Sequence, residues 1–194
     1  MKKGLFVLIG LAIVVGIWGV TSYNRLTALD QAVQTQWAQV ENVYQRRADL
    51  IPNLVETVKG AANFEKETYT KVAEARARAG QVTVGADVIN DPQKFEQFQQ
   101  AQQELSSALS RLIAVSEAYP DLKATAAFRD LMTQLEGTEN RIAVERMRFN
   151  EAAQAYNAQR RRFPTVLIAP LLGFGDKPYF RAQEGAEKAP KVSF

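Results

Sequence analysis

The chain contains no cysteine and no histidine. Those two absences exclude thiol nucleophiles, disulfides, imidazole acid–base catalysis and nearly every structural zinc arrangement. Charge of one sign is scarce as well. The formal net charge is +3, and Lys2 and Lys3 contribute two of it, leaving +1 for the rest of the chain. A body so nearly neutral is a poor polyanion binder, and no nucleic-acid partner is expected. Glycine-rich phosphate cradles are missing, and no cofactor, metal site or small-molecule substrate is evident. No segment alternates convincingly with period two, so strands have no good candidate. The 194 residues are nonetheless 46% hydrophobic, enough for one domain with a real core.

One long apolar run stands out. From Gly4 to Val20 the chain reads GLFVLIGLAIVVGIWGV, without a charge. At 1.5 Å per residue it covers about 25 Å of helix, slightly short of a bilayer core, and Tyr23 and Leu26 can extend it. A cleaved signal peptide shares this pattern, but bulky Trp18, Val20 and Tyr23 occupy the place of a small-residue cleavage site. An uncleaved transmembrane anchor over 5–22 is the preferred reading. Lys2 and Lys3 on one flank, against Arg25 near the other, place residues 1–4 in the cytoplasm and the bulk of the chain outside it.

Beyond the anchor the pattern is helical. Trp37, Tyr44, Ile51 and Val58 recur every seventh residue, flanked on the same face by Val33, Val40, Leu54 and Ala61. The phase survives Pro52, which removes an amide bond to the Ala48 carbonyl and predicts a kink. Two helices meeting at Pro52 satisfy the same pattern. The continuous reading gives a helix over about 23–79, closed by Gly80, and then a loop over Gln81–Asn90. Asp91 and Pro92 are cap and first-turn residues of a second helix over 92–119, carrying Phe98, Leu105, Leu112 and Tyr119. A third helix over 122–163 carries the longest series: Phe128, Leu135, Ile142, Phe149, Tyr156, Phe163. The fold class is therefore all-α, a transmembrane helix followed by an extended antiparallel bundle of long, coiled-coil-like helices over 23–163. Pro164, Pro170, Pro178 and Pro190 forbid a long helix over 164–194, which reads as an apolar non-helical strap with a flexible end after Arg181. Dipping of this strap into a membrane is disfavoured by the cost of unsatisfied backbone groups in lipid.

YNRL at Tyr23–Leu26, RRADLIPNLVETVKG at Arg46–Gly60, AYPDLK at Ala118–Lys123, TENRIA at Thr138–Ala143, the Tyr156–Asn157 pair and Phe163–Pro164 together resemble the LemA family over nearly the whole chain. The resemblance implies a bacterial membrane protein with one N-terminal helix in the membrane and an antiparallel helical domain outside the cytoplasm. Some relatives are implicated in shaping membranes, notably in magnetosome formation, but no general activity follows from membership. Family members often carry a histidine soon after the lysine–glycine of the first helix. Here that stretch is AANFEKE, and any chemistry resting on such a histidine is unavailable to this chain.

Charges on packing faces call for partners. Arg47 falls on the stripe of the first helix, and Glu139 and Arg146 on that of the third. With Asp49, Glu56 and Arg141 they compose a candidate polar network, read as an interhelical lattice that sets register rather than as a proton-handling site. Arg160, Arg161 and Arg162 oppose the negative end of a helix dipole, with lipid or acidic-partner binding as the alternative. Asp87, Asn90 and Asp91 lack the spacing and closing glutamate of a calcium loop.

Lengths then suggest a function. An unbroken helix from Ser22 to Ala79 spans about 85 Å, whereas the second spans about 40 Å and cannot cover it. The stripe of Leu26, Leu29, Val33, Trp37, Val40 and Tyr44 would stay bare and supply a homo-oligomer interface. Folding back at Pro52 gives instead four comparable helices and a self-contained monomer. The expected function is a membrane-anchored, non-enzymatic scaffold or adaptor of the bacterial envelope, in the cytoplasmic membrane, with lipid, copies of itself and other envelope proteins as partners. An extracytoplasmic ligand-binding or stress-sensing partner of another membrane protein is the alternative.

Overall fold

A computed structural model describes residues 2–61, 64–82, 85 and 87–181. The flexible end expected after Arg181 lies outside the described residues, as does part of the loop expected over Gln81–Asn90. Six α-helices account for most of the rest, with no strand among the described residues: α1 (Lys2–Lys59), α2 (Lys66–Gln81), α3 (Pro92–Ser116), α4 (Pro120–Ala124), α5 (Ala126–Arg161) and α6 (Thr165–Ile168). Short 3-10 turns at Val88–Asn90 and Pro170–Leu172 complete the set.

The helix expected over 23–79 is not one rod. α1 passes through Pro52 without breaking but ends at Lys59, and Gly60 opens a reversal into α2. Neither the kinked rod nor the fold-back at Pro52 is correct in detail, since the chain turns about two helical turns later. Continuity through Pro52 has a visible support. The guanidinium Nε of Arg76, on the returning α2, donates to the Ala48 carbonyl at 2.8 Å. That is the carbonyl which proline leaves without a helical partner.

Helix starts follow their caps. The Asp91 carboxylate accepts from the backbone N–H of Gln93 (2.9 Å) and Lys94 (3.3 Å), with Pro92 in the first turn of α3. The second helix expected to reach Tyr119 ends at Ser116, and Pro120 begins the short α4 instead of only closing α3. Thr125 caps α5 through the Phe128 N–H.

Register between α1 and α5 decides the architecture. Arg47 meets Glu139, Trp37 meets Phe149, and Asp30 lies beside Tyr156, so the two helices run antiparallel in one constant register. α5 has 36 residues, about 54 Å, which matches the part of α1 beyond the apolar run. It covers that part from end to end. The stripe expected to stay bare is therefore covered: Leu26, Val33, Trp37, Val40 and Tyr44 are buried, and Leu29 is half-buried against them. The expectation of an exposed oligomer interface there is corrected, because α5 runs antiparallel beside α1 down to the apolar run.

Two core clusters are stacked along the bundle. The one nearer the apolar run is aromatic: Trp37 is ringed by Phe95, Phe98, Phe149 and Phe180 at centroid distances of 5.2 to 6.2 Å. The distal one is mostly aliphatic, built on Ile51, Leu54, Val58, Val72, Leu105, Leu112 and Leu135. α2 and α3 belong largely to the distal half. The chain after α5 occupies the space they leave, and the expected strap is present, although Thr165–Ile168 and Pro170–Leu172 curl into single turns.

Candidate functional site: a buried arginine and a clamped strap

Arg47 lies at the level where the aromatic core ends at Tyr44 and the aliphatic core begins at Ile51. Its side chain is 1% exposed. Nη1 donates to Glu139 Oε1 (2.9 Å) and Ser106 Oγ (2.8 Å), and Nη2 donates to the Gln102 carbonyl (3.3 Å) and to Gln102 Oε1. The guanidinium also stands 5.0 Å from the Tyr44 ring centroid. One cation thereby ties α1 to α3 and α5 at a single height. Only Nε has no hydrogen-bond partner. Such a layer costs desolvation and returns register, since sliding any helix by one residue would strand the charge.

The rest of the expected polar network divides. Arg47 and Glu139, each placed on a heptad face, are bonded to each other. Arg146 is nearby, but it serves the strap: Nη2 donates to the Arg181 carbonyl at 2.8 Å and the guanidinium covers the Phe180 ring at 4.7 Å. Asp49 and Glu56 are not brought to Arg47. Asp49 accepts from Gln45 (2.7 Å) and Glu56 from Lys59 (2.7 Å), one helical turn away along α1. Arg141 is exposed on α5. Periodicity could not separate these, because Asp49 and Glu56 flank the stripe without lying on it.

Sequence reasoning missed the clamp on the strap. Asn157 Nδ2 donates to the Lys177 carbonyl (2.8 Å) while its Oδ1 accepts from the Lys177 N–H (2.9 Å). One heptad earlier, Asn150 does the same to Phe180, at 3.0 and 2.9 Å. Each side-chain amide thus completes both backbone groups of one strap residue. The spacing is commensurate: seven helical residues rise about 10.5 Å, and three extended residues advance about 10 Å. Arg160 extends the ladder, donating from Nε to the Phe174 carbonyl (2.7 Å) and pairing with Asp176 (2.9 Å). Two asparagines seven apart on an apolar heptad face were the available clue.

Lys177 closes this region. Its ammonium pairs with Asp30 (2.6 Å), donates to Asn90 Oδ1 (2.5 Å) and lies 5.3 Å from the Tyr156 ring centroid, so the strap is bonded to α1, α5 and the turn before α3. Tyr156 donates its hydroxyl to the Gly175 carbonyl at 2.9 Å. Burial first, and then the Asp30 carboxylate, push this phenol up to about 12. Burial likewise raises Tyr44, partly offset by Arg146 and Arg47. Glu41 is also raised by burial. The Trp37 indole beside it eases the shift, although neither Glu41 Oε1 nor Trp37 Nε1 attains hydrogen-bond geometry.

Between α3, α5 and the strap a cleft of about 620 Å³ opens beside this arginine layer, lined in part by Tyr44, Gln99, Gln103, Glu139 and Arg146. It offers amides, the carboxylates of Glu96, Glu139 and Asp176, and guanidinium groups, but no hydroxyl nucleophile paired with a base. Among the described residues no cluster of acidic side chains is arranged to hold a metal.

The family model for LemA matches residues 36–194, which includes α5, the arginine layer and the strap clamp. The chain belongs to the LemA family. Among its LemA-family relatives are the magnetosome protein MamQ 2 of Paramagnetospirillum magneticum, 25% identical over 181 residues, and the magnetosome protein MamQ of Magnetospirillum gryphiswaldense, 24% identical over 181 residues. Each alignment covers 85% of this chain and 66% of the relative, so the LemA-family chain spans just under two thirds of those proteins. Protein LemA of Metamycoplasma hominis is 23% identical over 161 residues, covering 83% of this chain and 69% of that one. With an apolar N-terminal helix long enough to cross a bilayer, this LemA-family member is a membrane-associated helical protein.

Proposed function

We propose that the protein is a membrane-anchored, non-enzymatic scaffold or adaptor of the bacterial cell envelope, with its bundle outside the cytoplasm. The observation that carries this reading is the continuity of α1. One helix of 58 residues is both the apolar segment and the longest helix of the bundle, with no linker between them. A body joined in this way is held at a fixed height and tilt, which suits presentation of a surface to neighbouring proteins. The charged groups on packing faces support it further, since Arg47 and Lys177 are taken up by contacts that hold helices and strap. The stripe from Leu26 to Tyr44 is buried within the chain and is not the face through which neighbouring proteins are contacted. Contacts with other envelope proteins would use outer faces such as that of Val144 and Met147 on α5, which are exposed apolar side chains.

The test is photo-crosslinking from Val144 and Met147 in native membranes, read by mass spectrometry. The same discrete envelope proteins captured from both positions, and lost when the body is expressed without its apolar segment, support the scaffold. Crosslinks to lipid alone would overturn it. A second reading, a ligand-binding partner of another membrane protein, is favoured by the polar cleft beside Glu139 and Arg146. Crosslinks unchanged by Arg146→Gln would leave that cleft without a role in partner contact.

A further inference from the structure

The corner after α5 carries an unusual surface. Phe163 is 77% exposed, Leu167 63%, Leu171 84% and Leu172 46%, all within ten residues. Its inner side is well packed: Ala169 is fully buried with Leu26 in the aromatic core cluster, and the Phe174 ring meets Tyr23 edge-on at 5.6 Å. The corner is thus firmly seated, and its outer apolar side chains project from a fixed base. A patch of this kind needs an apolar surround.

Its height says which. In the α1–α5 register set by Arg47 with Glu139 and Trp37 with Phe149, Arg161 is level with Arg25 and Phe163 with Tyr23. The corner continues past that level. Ser22 is buried, and Trp18 and Gly19 are half-covered, whereas the rest of the apolar run described below them is exposed. The apolar run Gly4–Val20 reaches only about 25 Å, and a bilayer core of about 30 Å extends to roughly Tyr23. Phe163 to Leu172 therefore lies at the depth where headgroups meet acyl chains. Arg25, Arg161 and Arg162 are exposed at the same level, where phosphate groups would stand.

We infer that the Phe163–Leu172 corner is a second membrane contact, inserted from one side into the leaflet from which α1 emerges. The inference rests on the reading of α1 as a membrane span. The expected objection to a non-helical segment in lipid is unsatisfied backbone, and here it is largely met locally. Val166, Leu167, Ala169, Leu172, Gly173 and Phe174 donate their N–H groups to carbonyls within the corner, at 2.9 to 3.2 Å. Pro164 and Pro170 have no N–H to satisfy. A helix and a wedge side by side fix the rotation of the bundle about the membrane normal, which a single span leaves free, and the wedge adds cross-section to one leaflet only.

The absence of native cysteine makes the test direct. Single cysteines at Ile13, Met147 and Leu171 of the full chain are labelled with an environment-sensitive fluorophore in vesicles of phosphatidylcholine and phosphatidylglycerol. Quenching is measured with spin-labelled lipid and with aqueous iodide. Leu171 is so exposed that the substitution leaves the fold undisturbed. The expected result is lipid quenching at Leu171 comparable to that at Ile13, with iodide quenching severalfold weaker than at Met147. Lipid quenching at Ile13 with a Leu171 probe as open to iodide as Met147 overturns the wedge and leaves the anchor standing. Lipid quenching at neither Ile13 nor Leu171 overturns both.

Discussion

The bond from Arg76 to the Ala48 carbonyl permits a quantitative test of how a proline is tolerated in mid-helix. Pro52 withdraws the N–H that would meet this carbonyl, and Arg76 supplies a replacement from α2 at 2.8 Å. A hydrogen bond from a charged donor contributes about 1.5–3 kcal/mol, and the half-exposed Arg76 belongs at the lower end, about 1.5 kcal/mol. Arg76→Ala should therefore destabilise the bundle by roughly that amount, beyond the small loss of its stem packing. Pro52→Ala restores a helical N–H to the same carbonyl and makes the arginine redundant. In that background Arg76→Ala should cost less than about 0.5 kcal/mol, giving a coupling near 1 kcal/mol. The assay is a double-mutant cycle on the full chain in micelles, by urea unfolding followed through circular dichroism. Equal costs of Arg76→Ala with Pro52 and with Ala at that position, within about 0.3 kcal/mol, would refute the reasoning, because the two groups would then not share the carbonyl.

Asn157→Ala removes the acceptor of the Lys177 amide N–H and a donor to its carbonyl, both in a buried stretch. Amide exchange at Lys177 should accelerate by about ten- to a hundredfold, corresponding to about 1.5–3 kcal/mol of local protection, with Phe180 less affected because Asn150 still holds it. Unchanged protection at Lys177 would show that the strap is held by its apolar contacts alone. Glu41 tests burial through pH. Its carboxyl is raised above the ordinary 4.5, so the folded state holds the proton more tightly and stability falls as pH rises from there through the folded value. Glu41→Gln should melt higher than the parent at about pH 7, and the difference should close at about pH 4. A difference that is constant with pH would mean that Glu41 is not desolvated.

Much of the candidate site was legible in the chain and some was not. Membership of Arg47 and Glu139 in a polar layer followed from charges on heptad faces, and the cap at Asp91 from residue type. Asp49 and Glu56 were drawn into the same network by proximity along the chain, but in a helix a residue two positions from the stripe points well away from it. The asparagine clamp left only the heptad spacing of Asn150 and Asn157 as a clue, and its partners were hidden for another reason. Asn150 and Asn157 bond to the backbone of Phe180 and Lys177, and no side-chain pattern marks a backbone partner.

The sequence by itself determined that the protein is helical, that its first helix is apolar enough to cross a membrane, and that imidazole and thiol chemistry are excluded. These are local properties, set by periodicity, composition and caps. Where α1 stops and what covers it were decided only by tertiary structure. The heptad phase runs across Gly60 as it runs across Pro52, because a stripe records which face is buried and not against what. Burial of Leu26 to Tyr44 by α5, the strap and the first turns of α3 depends above all on a match of lengths between α1 and α5, about a hundred residues apart. That match turned an expected interface between molecules into the core of one.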